Sequence, residues 1–396
     1  MRVPICVLAV LSFTGLVYAN DPDQAPAAGT TAQAPAAGTT APAAAPATPP
    51  APPPKYDGWA FSGLVDGYIT DNTNHPPGGA DALQNFDIMN GQPELSMAKF
   101  TVDKSDGVFG IHVDAGFGET MRLIHAGDPA AQDHKALRYI EQAYLIAKPK
   151  NWHGTEIDFG TFVTSAGAEV IESPSNWNYS RSLLFAWAIP YYHFGLKTTT
   201  PINKVVTIGF QLVNPWNTTA GPHTFTNYGI TLGVTKGIYT WNTNYYGGEN
   251  NPVIGSLPSG GQRSLIDTTF QVAPNDKTTF YINGDYGRNN NPVGSGHASW
   301  EGIAVAARYQ LTKMGAIAGR TEYFKDGQGF ETGTAQNLGE FTLTGEYKLN
   351  SIVMARLEAR HDISSAPFFP QKNSLNGSES MTTLTLGLTA VFGPWK

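Results

Sequence analysis

Ser351–Ser364, SIVMARLEARHDIS, decides the fold. Val353, Ala355, Leu357 and Ala359 fall on one side of an extended chain, and Arg356, Glu358, Arg360 and Asp362 on the other. Successive side chains of a strand point to opposite faces, so one face is apolar and the other carries four charges. Arginine on the lipid face at mid-membrane costs roughly 2–4 kcal/mol, so in a membrane strand the charged face turns to a lumen. A soluble sandwich would also turn these charges outward, so the class rests on the rest of the chain.

The pattern recurs on both sides of this stretch. Phe341, Leu343, Gly345 and Tyr347 oppose Thr342, Thr344, Glu346 and Lys348. Ile303, Val305, Ala307, Tyr309 and Leu311 oppose Ala304, Ala306, Arg308 and Gln310. Thr268, Phe270 and Val272 oppose Asp267, Thr269 and Gln271; Phe280, Ile282 and Tyr286 oppose Tyr281, Asn283 and Asp285. Phe109, Ile111, Val113 and Phe117 oppose His112 and Asp114. Segments of about ten residues, at roughly 3.4 Å each and tilted near 45°, span about 25 Å, the height of a thin outer membrane.

The connections discriminate further. Short ones at 104–107, 148–153, 200–203, 235–237, 274–277, 312–314 and 349–351 alternate with long ones. The long ones are 71–93, 119–135, 164–189, 214–224, 247–262, 288–297, 325–337 and 364–381. An up-and-down barrel with one periplasmic and one outer rim gives that order, whereas a Greek-key sandwich has no reason to keep it. The expectation is an all-β transmembrane antiparallel barrel of about sixteen strands, between 12 and 18. Trp59, Tyr139, Tyr144, Trp152, Trp241 and Tyr245 are placed as interfacial girdles.

The ends and the composition agree. Arg2, an apolar core over about 3–17 and Ala19 read as a secretory signal peptide, 1–19. The only cysteine, Cys6, lies inside it, so neither disulfides nor a cysteine metal site are available to the mature chain. Residues 20–55 are rich in Ala, Pro and Thr, repeat QAPAAGTTA, and read as a disordered linker; residues 56–396 form the barrel. Charged residues are 14%, glycines number 43, and the net charge of −7 with no basic stripe argues against nucleic acid. The closing strand TTLTLGLTAVF carries Phe392 near its end, the kind of signal that barrel-assembly machinery reads, although Gly393-Pro394-Trp395-Lys396 follows.

The run from Phe159 to Lys197, FGTFVTSAGAEVIESPSNWNYSRSLLFAWAIPYYHFGLK, resembles the OmpL-like β-barrel porins of the second-porin family. The likeness is carried by Gly160 and Phe162, Gly167 and Glu169, Tyr179-Ser180-Arg181-Ser182, and Pro190, His193 and Gly195. That resemblance implies an outer-membrane barrel with a pore function.

For catalysis the chain offers no Gly-x-Ser-x-Gly elbow, phosphate-binding loop, His-Glu-x-x-His or dinucleotide fingerprint, and its nine histidines are scattered. Glu169 and Glu172 invite comparison with a glycosidase pair, but acids three apart in a loop are more often solvated or paired with arginine. A pore fits better. Asp114, Asp285, Arg308, Arg320, Glu322, Glu346, Arg356, Glu358 and Arg360 would face the lumen, both signs on one wet wall, setting a transverse field. The 164–189 loop falls between the fifth and sixth strands, so Glu169, Glu172 and Arg181 are candidates for a constriction, with Leu183, Leu184, Phe185 and Trp187 as its foot on the wall. The expected function is passive diffusion of small hydrophilic solutes, with no cofactor, outer-membrane lipid around the barrel, and a homo-oligomer among the expected partnerships. A barrel hydrolase and a closed structural or adhesion barrel stand as the alternatives.

Overall fold

The computed structural model describes residues 58–220, 225–249, 253–254, 257–258, 261–290 and 296–393. The expected signal peptide and linker, and Pro394, Trp395 and Lys396, lie outside the described residues. The strands are β1 (Trp59–Asn72), β2 (Pro93–Asp106), β3 (Phe109–Phe117), β4 (Ile140–Ala147), β5 (Glu156–Val163), β6 (Tyr192–Pro201), β7 (Val206–Val213), β8 (Asn227–Lys236) and β9 (Tyr239–Glu249). After a small hairpin, β10 (Val253–Ile254) and β11 (Leu257–Pro258), come β12 (Gln262–Asn275), β13 (Thr278–Asn290), β14 (His297–Gln310), β15 (Gly315–Asp326), β16 (Gln336–Lys348) and β17 (Val353–Ser364). A second hairpin, β18 (Phe369–Gln371) and β19 (Ser374–Ser378), precedes β20 (Ser380–Phe392).

Leaving out the two hairpins, sixteen strands pair antiparallel in chain order, and β1 pairs with β20 from Gly63↔Phe392 to Asn72↔Thr383. The sheet is a closed barrel with no free edge, which satisfies every ladder group where no water reaches. Among the described residues no helix is long and apolar enough to cross a membrane.

The burial is inside-out relative to a soluble protein. On β17, Leu357 is 55% exposed while Arg356 is 2% exposed, and β16 repeats the pattern with Leu343 out and Thr342 and Thr344 in. The outer wall therefore offers apolar side chains to lipid. Phe109, Trp152, Tyr239, Tyr309, Tyr347 and Phe392 sit exposed toward the short-turn rim, and Tyr228, Tyr286 and Tyr323 toward the long-loop rim. Tyr144 departs from the girdle expected for it. It stands opposite His112 on the inner face, with ring centroids 4.9 Å apart.

The long loops fold inward and build an apolar core inside the barrel. Leu183, Leu184, Trp187 and Ile189 pack on inward Leu265, Trp300, Phe324, Leu338 and Met381, with Leu83 and Trp216 from two other loops. Phe185, Ile171 and Tyr191 pack the other way, on Phe86, Leu64, Met97, Met121 and Ile124. A single π-helical turn, Leu184–Ala188, feeds both clusters, and each fully buried large side chain contributes roughly 1.5–3 kcal/mol.

Candidate functional site

Residues 164–191 leave the end of β5, cross the lumen and return at β6. Their apolar run supplies the foot just described, and the wall meets their backbone polar groups one by one. Glu322 on β15 accepts the Leu183 and Leu184 N–H groups at 2.9 and 3.2 Å, capping the π-helical turn. Glu358 on β17 accepts from the Tyr179 and Ser180 N–H groups at 2.6 and 2.9 Å. Arg356 donates to the Asn176 carbonyl at 2.6 Å while pairing with Glu346 at 2.8 Å. Arg360 donates to the Arg181 carbonyl at 2.6 Å and pairs with Asp362 at 2.8 Å. Arg320 reaches Glu169 at 2.7 Å, the Ser180 carbonyl at 2.9 Å, and Glu340 and Glu322 on the wall. Ser173 and Tyr179 hydroxyls donate to Asp66 on β1 at 2.7 and 3.0 Å. Buried charges demand such partners, because each unpaired one carries a desolvation penalty of several kcal/mol.

All nine charges assigned to the lumen lie on inward positions of their strands, but their role there differs from a wet field-setting wall. Arg320, Glu322, Arg356, Glu358 and Arg360 are covered by the inward segment and hold its backbone. Asp285 is buried opposite Asp267. Arg308, half-buried, pairs with Glu346 at 2.8 Å.

The three constriction candidates separate in the same way. Glu169 is buried, accepting from Ser182 N–H at 2.7 Å besides Arg320. Arg181 is 2% exposed; its guanidinium donates to the carbonyls of Val170, Ile171 and Tyr179 and lies 5.2 Å from the Phe86 ring centroid. It staples its own segment. Glu172 alone keeps an accessible carboxylate, its side chain 16% exposed, and bridges to Lys99 on β2.

Lys99 is the residue that sequence reasoning missed. Its ammonium lies 3.3 Å from Asp114 and 3.0 Å from Glu141, besides Glu172. Those three acids bring ligand atoms within 4.8 Å of one another, and the ammonium stands where a metal ion would. Strict alternation of Met97, Lys99 and Thr101 against Ala98, Phe100 and Val102 carried the signal for Lys99. Glu141 carried none, because it is the extra residue of a bulge where Asp114↔Gln142 gives way to Ala115↔Ile140. The 73–92 loop seals the segment from above. Phe86 packs on Phe185 and Tyr191, and burial pushes the neighbouring Asp87 carboxyl up to about 7 against the pull of Arg360.

The accessible face of the segment carries Val170, Glu172, Ser175 and Trp177. The accessible inner wall includes His112, Tyr144, Lys197, Thr231 and Asn242, toward the short-turn rim on β3 to β9.

The family model described as "Putative beta-barrel porin-2, OmpL-like" matches residues 58–392. No curated protein matches the chain. Among solved structures it is similar to an anion-selective porin from Comamonas acidovorans, with TM-score 0.56, 10% identity, and coverage of 84% of this chain and 99% of that one. It is also similar to the outer membrane channel DcaP of Acinetobacter baumannii, with TM-score 0.54, 9% identity, and coverage of 84% and 97%. A trimer form of OmpT, an outer membrane protein of Vibrio cholerae, matches with TM-score 0.53, 11% identity, and coverage of 84% and 99%. At these identities the likeness concerns the fold.

Proposed function

Because the chain belongs to the OmpL-like β-barrel porin-2 family and is an outer-membrane porin, we propose that it passes small hydrophilic solutes by diffusion, without catalysis. The inward segment 164–191 sets the narrowest part. The observation that carries this reading is uneven docking: the first residues of the segment bond Gln211, Asn244 and Tyr246 on β7 and β9 near the long-loop rim, the rest is bonded along β15, β16, β17 and β1, and the inner wall of β6 to β9 stays accessible toward the short-turn rim. Glu172, held by Lys99, is the charge placed to meet solutes at that edge, while Glu169 and Arg181 shape the segment. Homo-oligomerisation through the lipid-facing wall belongs to the same proposal, supported by the trimer form of one structural neighbour. Reconstitution in planar bilayers tests it. Stepwise currents are expected, and a folded barrel that never conducts would refute it.

A further inference from the structure

The inner wall is divided by chemistry. From β14 through β17 and on to β3 it carries Arg308, Arg320, Arg356, Arg360, Lys99 and their acids, most of them covered. Strands β7, β8 and β9 place no Asp, Glu, Lys, Arg or His on the inner face. Their accessible inward residues are Thr207, Thr231, Thr235, Thr240 and Asn242, with Gly209 and Gly233 between them. The glycines lower the wall, so the threonine hydroxyls and the Asn242 amide stand at the water boundary. Each of these groups both gives and accepts hydrogen bonds.

Aromatic pairs stand on either side of this strip. Tyr144 stacks on His112 at 4.9 Å toward β3 and β4, and Trp177 of the inward segment lies 4.8 Å from Tyr281 on β13. Lys197 at the edge is spoken for by Asp158 at 3.1 Å and lies 4.8 Å from the Phe162 ring centroid, and His112 is held between Asp103 at 2.7 Å and Asp114 at 3.1 Å.

Building on the diffusion reading above, we infer that the solute path runs along the uncharged face of β7 to β9 and favours neutral polyhydroxylated solutes, carbohydrates in chemical class, over ions of the same size. An ion leaving bulk water in a narrowed lumen needs opposite charge or many aligned dipoles, and here the fixed charges are already paired. A sugar exchanges its water hydrogen bonds for hydroxyl and amide ones, and its C–H faces meet aromatic rings.

The test is swelling of proteoliposomes in equal concentrations of glucose, gluconate and glucosamine, with ion permeability ratios measured in bilayers across a potassium chloride gradient. Glucose is expected to enter about threefold or more faster than either ion. Asn242→Asp, which keeps the side chain's shape, should raise the cation-to-anion permeability ratio and slow gluconate further. A barrel that admits solutes in order of charge, or whose ion ratio ignores Asn242→Asp, overturns the uncharged path and leaves the porin reading intact. A folded barrel that admits nothing overturns both.

Discussion

Gly387 on β20 lies directly beneath the ring of Tyr179, and a Cβ built there would overlap the ring's Cδ2 and Cε2. The wall is recessed at this point to seat the inward segment. Gly302 on β14 plays the same part for Leu184, whose Cδ1 would stand 2.7 Å from an added Cβ. Since β20 neighbours β1, the recess also brings the Tyr179 hydroxyl to Asp66.

Gly387→Val fills that recess from a rigid strand. It should push Tyr179 into the lumen at a cost of about 1–3 kcal/mol, the usual scale of overpacking. Unit conductance is expected to fall and become noisy, while the apparent size of the folded barrel on unheated gels stays unchanged. Unaltered conductance would place the segment's docking elsewhere.

Arg181 has a structural job, so its size and hydrogen bonds matter more than its charge at the pore. Arg181→Ala leaves the Ile171 and Tyr179 carbonyls without their buried donor and is expected to cost roughly 1–3 kcal/mol for each. The temperature at which the barrel unfolds on gels should drop, and trypsin should cut within 164–191. Ion preference should follow Glu172→Gln instead.

Lys99→Met removes the ammonium that Asp114, Glu141 and Glu172 share, and leaves Glu141 and Glu172 facing one another. The segment's edge should come away from β2, seen as a lowered unfolding temperature and noisier current. Adding Glu172→Gln should restore part of the loss, because the two residues are directly coupled. Strict additivity of the two changes would contradict the clasp.

Asp87 gives a pH signature. Its folded carboxyl is raised to about 7 by burial, above the unfolded value of 3.8. Between those values the folded state holds a proton that the unfolded state has released. This contribution is therefore complete below about 3.8 and is lost as pH rises through about 7. Asp81 in the same loop is raised to about 7 as well, again by burial. The unfolding temperature should decline from pH 5 to pH 8, and Asp87→Asn should flatten part of that slope.

Much of the barrel was readable because a two-residue period is a local property. Arg356, Glu358 and Arg360 alternate with Leu357 and Ala359 whatever lies opposite them. What covers them was not readable. Glu169 meets Arg320 across 151 residues and Tyr179 meets Glu358 across 179, and no local pattern marks such pairs. Tyr144 misled because an aromatic ring suits a lipid boundary and a lumen wall equally well. The run 183–189 was legible as apolar, but its role as a core inside the barrel depends on Leu265, Trp300 and Phe324 from three distant strands.

Ser175 is the most exposed residue of the inward segment, and residues 58–396 contain no cysteine. The most direct test of the account is single-channel current through Ser175→Cys during addition of a bulky thiol reagent. If residues 164–191 narrow a water-filled porin, each open channel should lose current in one discrete step as its thiol is modified. Unchanged current with the thiol fully modified, or a folded barrel that carries no current, would contradict it.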